Sequence, residues 1–557
     1  MRTASEERIA RYRREGWWGD THTWQLFEAA ARRDPAAIAL VDPPNRAAIA
    51  GGEPLSLDWA GVRERALAVA AWLRAEGVAE GDVVIVQLPN TVEAVLCLLA
   101  VSALGAIASP APMQYGPHEL RAIASAVMPR VFVSAEQFRG ADPAPACNAV
   151  MPAQVRCLAL GPERLLGLPA GEGVMLAQPS ADDVFTLCWT SGTTGAPKAV
   201  PRSHNQWRAQ TVAVIGMGLA PGMRMLCPFP LVNMASLSGF FYPWLELGGT
   251  LLLHHPIDLP VFLAQIAGER VAYTVAPPAL LNMLLKQPGL LAAHDLSALR
   301  IVASGSAPLA PWMVRAFQHD HGIAVVNVFG SNEGVSLLSA MGDVPDPGQR
   351  AVLFPRYGVP GLAWSNPIAS RIGTRLVDPS REAVVDTPGV VAELQVTGPN
   401  VMDGYLGATT QDPAVFSADG WFRSGDLFEI APEDPRFYRF AGRLKEIIVR
   451  GGMKISPEEL DTLLAGHPSV AEAAFAGYPC TTLGERVGVA LVGRGEQIPD
   501  LVDVCRYLEG QGLARMKWPE RLLCLPALPR NPLGKVLRHE IAARLAAAEP
   551  PSTGESS

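Results

Sequence analysis

The chain contains the stretch Thr190-Ser191-Gly192-Thr193-Thr194-Gly195-Ala196-Pro197-Lys198, in which hydroxyl side chains, glycines and a lysine are crowded together. It follows directly on the apolar run 184–189, so the pattern predicts a buried strand that leads into a loop. Glycine lets the backbone approach an anion closely, and hydroxyl, amide and ammonium groups can all donate to phosphate oxygens. The residues alone leave two interpretations open, a phosphate-binding loop or an ordinary Gly/Thr surface loop.

The spacing of this stretch differs from that of a Walker phosphate-binding loop. A Walker loop has four residues between its first glycine and the Gly-Lys pair, and a Ser or Thr after the lysine. Here Ala199 follows Lys198, so no side-chain hydroxyl stands at that position to bind a magnesium ion. The pattern argues against a phosphoryl-transferring P-loop NTPase.

The same nine residues resemble the signature loop of the adenylate-forming superfamily. That superfamily comprises acyl- and aryl-CoA synthetases, aryl-acid adenylating enzymes, peptide-synthetase adenylation domains and luciferases. Further segments that resemble its motifs follow in the same order and cover nearly the whole chain. The resemblance implies an α/β fold with a large N-terminal domain, residues 1–443, built of two parallel-sheet α/β subdomains plus a small β-barrel subdomain. A small mobile α+β C-terminal domain, 444–547, and a polar tail, 548–557, complete the prediction.

Composition is typical of a large globular enzyme and excludes several other classes. Of 557 residues, 49% are hydrophobic and 18% charged, and the net charge of −8 gives no reason to expect nucleic-acid binding. The eight cysteines are scattered without a CxxC pair, which favours buried thiols in a reduced, cytoplasmic protein. Two long uncharged stretches, 94–113 and 225–245, contain several prolines and therefore suit a buried core better than a membrane span.

Hydrophobic periodicity supports the α/β prediction independently of the resemblance. Segments 59–76 and 92–104 carry apolar residues at helical spacing, and 83–88 reads as a buried strand. This alternation predicts a mostly parallel sheet with helices on its faces. Leu88-Pro89-Asn90 matches a structural motif of the superfamily and is assigned to folding rather than chemistry. We interpret His204 as a residue that packs against or caps the following helix.

Two segments resemble the superfamily's acid-binding elements. Asn233 falls where a pocket-lining residue that gates the thiol tunnel is usual, next to Met234, although Asn233 could equally satisfy only local backbone groups. No acidic residue lies between positions 225 and 244, so an amino acid with a free ammonium group is a poor candidate. The second segment resembles Gly-Gly-Ala-Pro-Leu and is implied to border both the acid and the adenine; it comprises Ser304, Gly305, Ser306, Ala307 and Pro308.

The segment Asn327-Val328-Phe329-Gly330-Ser331-Asn332-Glu333 resembles the aromatic-Gly-x-Thr-Glu motif. The resemblance implies that Phe329 stacks on adenine and Asn327 reads its edge, while Gly330 and Ser331 line the site and Glu333 holds Mg²⁺. Asn332 replaces the threonine that usually contacts the α-phosphate. An asparagine amide can still donate to an anion, so we expect altered geometry rather than an inactive site.

The C-terminal third supplies the remaining predicted site residues. The resemblance implies that Asp426 accepts hydrogen bonds from both ribose hydroxyls and that Arg443 reaches the ribose or the phosphates. Lys535 is implied to contact the carboxylate and the α-phosphate during adenylation. Lys445 is implied to be the hinge for a rotation that brings Gly452 and Lys454 towards coenzyme A.

These predictions together describe an ATP-dependent carboxylic acid ligase that uses Mg²⁺. It would form an acyl-AMP and then a thioester with coenzyme A, or alternatively with the phosphopantetheine arm of a carrier protein. We expect a small hydrophobic acid (aryl, alicyclic or medium acyl) and leave a homodimer open. A protein that binds an adenylate without forming a thioester is the more distant alternative, with Asn332 as the lesion.

Overall fold

The structure is a computed structural model that describes residues 1–191, 197–408, 412–444, 446–450, 453–480, 483–495, 498–511, 513, 515–531 and 534–548. Its strands, in chain order, are β1 (Ile38–Val41), β2 (Ser56–Asp58), β3 (Val83–Gln87), β4 (Ile107–Pro110), β5 (Val131–Ala135), β6 (Arg156–Leu160), β7 (Val184–Ser191), β8 (Pro197–Ser203), β9 (Arg224–Cys227), β10 (Thr250–Leu253), β11 (Tyr273–Val275), β12 (Ile301–Gly305), β13 (Ala324–Gly330), β14 (Ser336–Ser339), β15 (Leu353–Pro355), β16 (Gly373–Asp378), β17 (Ala383–Val384), β18 (Ala392–Thr397), β19 (Phe422–Ile430), β20 (Phe437–Arg443), β21 (Ile448–Arg450), β22 (Met453–Ile455), β23 (Val470–Cys480), β24 (Gly484–Gly493) and β25 (Arg521–Cys524).

Helices alternate with these strands through most of the chain. They are α1 (Glu6–Arg14), α2 (Thr23–Ala31), α3 (Arg46–Ala50), α4 (Trp59–Ala75), α5 (Val92–Ala103), α6 (Pro117–Val127), α7 (Ala144–Asn148), α8 (Pro162–Gly167), α9 (His204–Ile215), α10 (Met234–Ser236), α11 (Tyr242–Leu247), α12 (Leu259–Gly268), α13 (Pro278–Lys286), α14 (Pro288–Ala292), α15 (Pro311–His321), α16 (Pro347–Arg350), α17 (Pro457–Leu464), α18 (Leu501–Gly510) and α19 (Arg538–Ala547). A π-helical turn occupies Leu237–Phe241, and 3₁₀ turns occupy Pro367–Ser370 and Arg515–Lys517.

Two mostly parallel sheets form the bulk of the molecule, as the sequence predicts. The first, sheet A, has the order β14-β13-β12-β11-β9-β10-β1-β2, and the second, sheet B, has the order β6-β5-β3-β4-β7-β8. Only the end pairs β13–β14, β1–β2 and β7–β8 are antiparallel. The predicted helices 59–76 and 92–104 and the predicted strand 83–88 are confirmed as α4, α5 and β3. Because α5 is buried along its whole length, the uncharged stretch that begins at residue 94 is core.

The third sheet, sheet C, is antiparallel and six-stranded, with the order β15-β20-β19-β18-β16-β17. The sequence predicts a small β-barrel here. The pairing found within the described residues is instead that of an open sheet, since no ladder joins its edge strands β15 and β17. Strand β19 carries Asp426 and strand β20 ends at Arg443, and these two residues are directly paired in register.

The C-terminal part has its own sheet, sheet D, with the order β22-β21-β24-β23 and β25 paired in parallel with β24. Helices α17 and α19 pack on β23, and the two hydrophobic clusters of this part contain only residues from 448 onward. Ser456 caps α17 by accepting a 3.4 Å hydrogen bond from the amide of Glu459. Strand β20 of sheet C ends at Arg443 and β21 of sheet D begins at Ile448. The exact domain limits, 1–443 and 444–547, stay a prediction.

Within the residues that the structure describes, a helix with the length and apolar character needed to cross a bilayer is absent. The interior is closely packed, and three cysteines (97, 188 and 227) are fully buried in it. Burial raises the pKa of each of these thiols to about 12. They are therefore packing residues and not nucleophiles.

Candidate active site

The predicted acid-binding and adenine-binding segments meet at one edge of sheet A. Strands β9, β11, β12 and β13 run parallel, so their carboxyl ends lie at the same edge. Segment 228–234 follows β9, while 304–308 and 329–333 each comprise the end of a strand, β12 or β13, and the residues after it; all three carry predicted site residues. In open parallel sheets, ligands bind in the crevice beyond the carboxyl ends of the strands. The topology thus brings together residues about a hundred positions apart in sequence.

The two ends of the stretch 190–198 lie on neighbouring antiparallel strands of sheet B. Thr190 pairs with Lys198 and Ser191 with Pro197, so β7 and β8 run up to residues 191 and 197 side by side. Gly192, Thr193, Thr194 and Gly195 lie outside the described residues. Only the backbone of Ser191 is described. The loop prediction is therefore placed at the hairpin end but not tested in its atomic detail.

The ammonium group of Lys198 lies over the ring of Tyr405, with Nζ 4.9 Å from the ring centroid. At this distance a cation is attracted to the face of an aromatic ring. The hydroxyl of the same tyrosine donates a 2.9 Å hydrogen bond to a carboxylate oxygen of Glu333. Tyr405 thus joins the predicted metal ligand to the lysine of the predicted phosphate loop. Burial, together with the nearby Glu333 carboxylate, raises the pKa of Tyr405, so it remains a donor at neutral pH.

No sequence motif identifies Tyr405 as a site residue. Its neighbourhood reads as a β pattern, and the residue lies 72 positions from Glu333. The only local signal is Gly404-Tyr405, which marks a turn and not a ligand site. The contact arises because the loop after sheet C strand β18 runs back beneath the Glu333 loop, where the amide of Met402 donates to the main-chain oxygen of Glu333 at 2.8 Å.

The protein offers one carboxylate here, that of Glu333, and this fits a magnesium ion that is bound mainly by a nucleotide. Glu333 is nearly buried, one of its oxygens accepts from Tyr405, and no described residue donates to the other. In the described ranges no group of three or more His, Cys, Asp or Glu residues could enclose a metal ion. Mg²⁺ is commonly bound by one or two carboxylates together with substrate phosphates, so a single carboxylate is sufficient here.

Asn332 makes contacts that differ from those predicted for it. Its side-chain carbonyl accepts a 2.9 Å hydrogen bond from the amide of Met234, and its Nδ2 donates to the carbonyl oxygen of Trp189 at 3.3 Å. The predicted role was donation to an anion. In the structure the side chain instead holds two neighbouring segments, which leaves at most the second Nδ2 hydrogen for a ligand.

A buried arginine that the sequence analysis did not single out lies beneath this loop. Arg202 Nη1 donates to the main-chain oxygen of Asn332 at 3.0 Å, and its guanidinium lies 4.9 Å from the centre of the Trp207 ring. Complete burial lowers the pKa of Arg202 to about 10, which still leaves it charged at neutral pH. The positive charge lies close enough to the Glu333 carboxylate to attract it.

The predicted adenine-binding residues lie in the second half of β13 and directly after it. Nδ2 of Asn327 donates to the carbonyl oxygen of Ala351 at 2.7 Å, while no described residue donates to its side-chain oxygen. The half-buried ring of Phe329 packs edge-on against Phe428, with centroids 5.0 Å apart. Gly330 is exposed, whereas the buried hydroxyl of Ser331 finds no partner in the described part of the chain. These groups leave acceptor and donor atoms available to a flat polar ligand.

The predicted acid-binding residues form two short segments with fixed backbones. Asn233 directly precedes α10, and its side-chain Oδ1 accepts a 3.4 Å hydrogen bond from the Ser236 hydroxyl. This geometry is that of a local helix cap, the second of the two interpretations of Asn233. Ser304 donates to the oxygen of Ala276 at 2.8 Å, and a Cβ on Gly305 would lie 2.1 Å from the oxygen of Val328. Ser306 has a left-handed backbone, with φ +66°, and is followed by Ala307 and Pro308 in an open turn.

Asp426 and Arg443, from adjacent strands of sheet C, lie near Lys535, which precedes α19 of the C-terminal part. Nε of Arg443 lies 3.2 Å from Oδ1 of Asp426, yet that buried oxygen accepts no aligned hydrogen bond from the described residues. Nζ of Lys535 lies 3.3 Å from a carboxylate oxygen of Glu446. Burial raises the pKa of Asp426 to about 6, and the positive charges of Arg443 and Lys535 oppose that shift. The carboxylate is thus held beside two cations with an acceptor atom still unused.

Three predicted residues of the C-terminal part remain untested. Lys445 and Gly452 lie outside the described residues, and Lys454 is described only as part of the backbone of β22. His204, by contrast, is described fully. It is the first residue of α9, its ring is buried against Phe185, and burial lowers its pKa to about 3. The interpretation of His204 as a packing residue is confirmed.

Comparison with known proteins identifies the family of this chain, and the similar proteins include enzymes named for different acceptors. Residues 27–406 match the model of the AMP-binding enzyme family. The chain is 30% identical to a 2-hydroxy-7-methoxy-5-methyl-1-naphthoate–CoA ligase of Streptomyces carzinostaticus over 95% of this chain and 94% of the relative. It is 28% identical to a salicyl-AMP ligase/salicyl-S-ArCP synthetase of Mycobacterium tuberculosis over 98% of this chain and 95% of the relative.

A solved structure with a bound nucleotide shares the fold. ATP-bound MatB from Rhodopseudomonas palustris matches with a TM-score of 0.76 and 25% identity, over 94% of this chain and 99% of that one. The match extends over nearly the full length of both proteins.

Proposed function

The chain belongs to the AMP-binding enzyme family and is an adenylate-forming ligase, and on this premise we propose that it joins a hydrophobic carboxylic acid to coenzyme A through an acyl-AMP intermediate. In the first half-reaction a carboxylate oxygen attacks the α-phosphorus of ATP, and the bond to pyrophosphate breaks. Two anions approach each other in this step, so fixed positive charge and hydrogen-bond donors must supply most of the catalysis.

The observation that carries this proposal is the group formed by Asp426, Arg443 and Lys535. The unused acceptor oxygen of Asp426 suits the ribose hydroxyls, and the two cations beside it suit the phosphates and the carboxylate of the acid. Glu333 would hold Mg²⁺, which when bound neutralises phosphate charge, while Lys198 is held towards the same site by Tyr405. Phe329 and Asn327 would bind the adenine.

In the second half-reaction a thiol attacks the carbonyl carbon of the acyl-AMP, and AMP leaves with the bonding electrons and takes up a proton. We propose that the C-terminal domain rotates about Lys445 between the two steps, which withdraws Lys535 and brings Gly452 and Lys454 to the site. Rotation of one small domain allows one site to serve two reactions with different geometries.

The class of acid is proposed from the side chains available to bind it. The stretch 225–244 contains no acidic residue that could pair with an ammonium group. Met234 is buried, and the segment 304–308 consists of small residues, so the space suits a flat or flexible apolar group. An aryl, alicyclic or medium-chain acyl acid meets these requirements.

A carrier protein is the second candidate acceptor. One relative is named as a CoA ligase and another as a salicyl-S-ArCP synthetase, at nearly equal identity and coverage. Coenzyme A and carrier proteins present the same phosphopantetheine thiol, so the chemistry of the second half-reaction is the same for both. Several cysteines are buried, and the eight cysteines are scattered along the sequence without the spacing typical of a disulfide framework. Both features support a cytoplasmic location for either reaction.

The test is acid-dependent exchange of labelled pyrophosphate into ATP with benzoate, cyclohexanecarboxylate and octanoate, followed by addition of coenzyme A and mass detection of the thioester. Exchange followed by a CoA thioester is the expected result. Exchange without thioester would favour the carrier protein, and no exchange with any acid would contradict the proposal. Lys535→Ala should abolish exchange, whereas Lys517→Ala, which removes an ion pair with Glu459 on the same domain, should retain it.

A further inference from the structure

The segment 229–234, proposed above to line the acid pocket, is held near its two ends by asparagine side chains from elsewhere in the chain. Asn90 Nδ2 donates to the oxygen of Phe229 at 2.7 Å, and Asn90 Oδ1 accepts from the amide of Leu231 at 3.1 Å. At the other end, Asn332 Oδ1 accepts from the amide of Met234 at 2.9 Å. Asn90 belongs to the core between β3 and α5, whereas Asn332 belongs to the loop that carries Glu333.

The second polar atom of Asn332 reaches the opposite side of the site. Its Nδ2 donates to the oxygen of Trp189, one residue before the Thr190–Lys198 pair of the hairpin. The backbone of Asn332 is fixed in turn by Arg202, which donates to its oxygen at 3.0 Å. One carboxamide therefore joins the acid-pocket segment, the metal-ligand loop and the strand that leads to the phosphate loop.

We propose that Asn332 is a positioning residue that couples acid binding to ATP binding and thereby contributes to the choice of acid. The proposal rests on the function proposed above. A shift of Met234 towards or away from a bound acid moves its amide, which is tied through Asn332 to the carbonyl of Trp189. Binding of the acid and binding of ATP then favour the same relative positions of Met234, Asn332 and Trp189. By thermodynamic linkage, each ligand must therefore tighten the binding of the other by the same factor.

The substitution that this chain carries makes the connection possible. A carboxamide presents its acceptor and its donor at two separated atoms, which here face two different segments. A threonine has one oxygen on a shorter side chain and cannot occupy both positions. A chain with threonine at position 332 would gain a hydroxyl for a phosphate oxygen and lose the connection between Met234 and Trp189.

The experiment measures the dissociation constant of the best acid by calorimetry, with and without saturating α,β-methylene ATP and Mg²⁺. Wild-type protein should bind the acid about fivefold or more tightly with the nucleotide present. Asn332→Thr and Asn332→Ala should reduce this factor to below about twofold. The two variants should also change the ratio of kcat/KM for benzoate to that for octanoate by about threefold or more, since the pocket wall is no longer fixed.

Asn366 provides a matched control. It is a buried asparagine that also accepts from one main-chain amide, that of Ile368, and donates to one main-chain oxygen, that of Ala213, on the far side of α9. Asn366→Thr should keep both the coupling factor and the acid ratio even where it lowers the melting temperature. The Asn332 variants are compared with it at matched folded concentration, so that a loss of stability is not read as a loss of coupling.

The outcomes separate this inference from the proposed function. If the wild type catalyses exchange but both Asn332 variants keep the wild-type coupling factor (the ratio of acid dissociation constants without and with nucleotide), the inference is overturned and the proposed function stands. A coupling factor of one in the wild type, meaning that nucleotide does not change the affinity for the acid, would also overturn the inference. No acid-dependent exchange by the wild type would overturn the proposed function instead.

Discussion

The phenolic hydroxyl of Tyr405 donates a 2.9 Å hydrogen bond to the carboxylate of Glu333, while its ring faces the ammonium group of Lys198. One side chain therefore orients both the proposed metal ligand and a cation of the proposed phosphate site. Neither contact requires a ligand to be present. The site is preorganised by a residue that itself carries no charge, and preorganised groups are worth more to a reaction than groups that must be moved into place.

Tyr405→Phe should raise the Mg²⁺ concentration for half-maximal pyrophosphate exchange by about tenfold, because the hydrogen bond to a charged group is lost while the ring stays beneath Lys198. Calorimetric titration of Mn²⁺-ATP should show a similar loss of affinity. Tyr438→Phe is the control, because Tyr438 is also a buried tyrosine with a cation, Arg356, over its ring. Equal metal dependence of the two variants would contradict the assignment.

ATP binding should weaken as the pH falls through about 6. Asp426 must be ionised to accept both ribose hydroxyls, and burial has raised its pKa to about 6 against the pull of Arg443 and Lys535, with Glu333 and Glu446 adding to the rise. The KM for ATP should therefore increase between pH 7 and pH 5. Asp426→Asn should have a high KM at every pH in this range; a pH-dependent KM in that variant would assign the titration to another group.

Glu446→Gln should move the alkaline limit of pyrophosphate exchange to lower pH. Burial and the nearby Arg443 lower the pKa of Lys535, and the Glu446 carboxylate opposes that shift. Without the carboxylate, Lys535 loses its proton at lower pH and exchange declines earlier. The rate of thioester formation from added acyl-AMP should keep its pH profile, because Lys535 is proposed to act only in the first half-reaction; a common shift of both profiles would point to a general effect on folding.

Arg46→Ala should lower the free energy of unfolding by about 3–5 kcal/mol, as expected for removal of one partner from a buried ion cluster. Arg46 is fully buried and pairs with Asp42 and Glu93, both of which would be left as unpaired buried carboxylates. Denaturant titration followed by tryptophan fluorescence measures the change. Arg63→Ala removes a more exposed pair with Glu28 and should cost no more than about 1 kcal/mol. Similar losses in the two variants would contradict this interpretation.

Sequence patterns were sufficient for the features that depend on local order. The helical spacing of apolar residues in segments 59–76 and 92–104 corresponds in each case to an observed helix. The alternation of strands and helices predicted the parallel pairing, whereas the position of residues 228–234, 304–308 and 329–333 at one edge became evident only from the strand order. The resemblance located Glu333, Asp426 and Lys535, but their roles stay predictions.

What the sequence did not predict depends on pairing over long distances. The Asn332–Met234 bond spans 98 positions and the Tyr405–Glu333 bond 72, and no local pattern indicates that these residues contact each other. No sequence pattern singles out Arg202, which is fully buried and donates to the main-chain oxygen of Asn332. The expected closure of sheet C into a barrel also depends on the pairing of edge strands, which hydrophobic alternation does not encode.

The attachment of segment 229–234 at two points has a consequence for protein engineering. Substitutions at Asn233 or Met234 change the surface that a bound acid would meet, whereas changes at Asn90 or Asn332 alter the frame that carries that surface. A mutant library intended to redirect the enzyme to new acids should therefore vary the former pair and keep the latter pair constant. Variants selected this way would keep the relative position of the acid and ATP while changing the shape of the pocket.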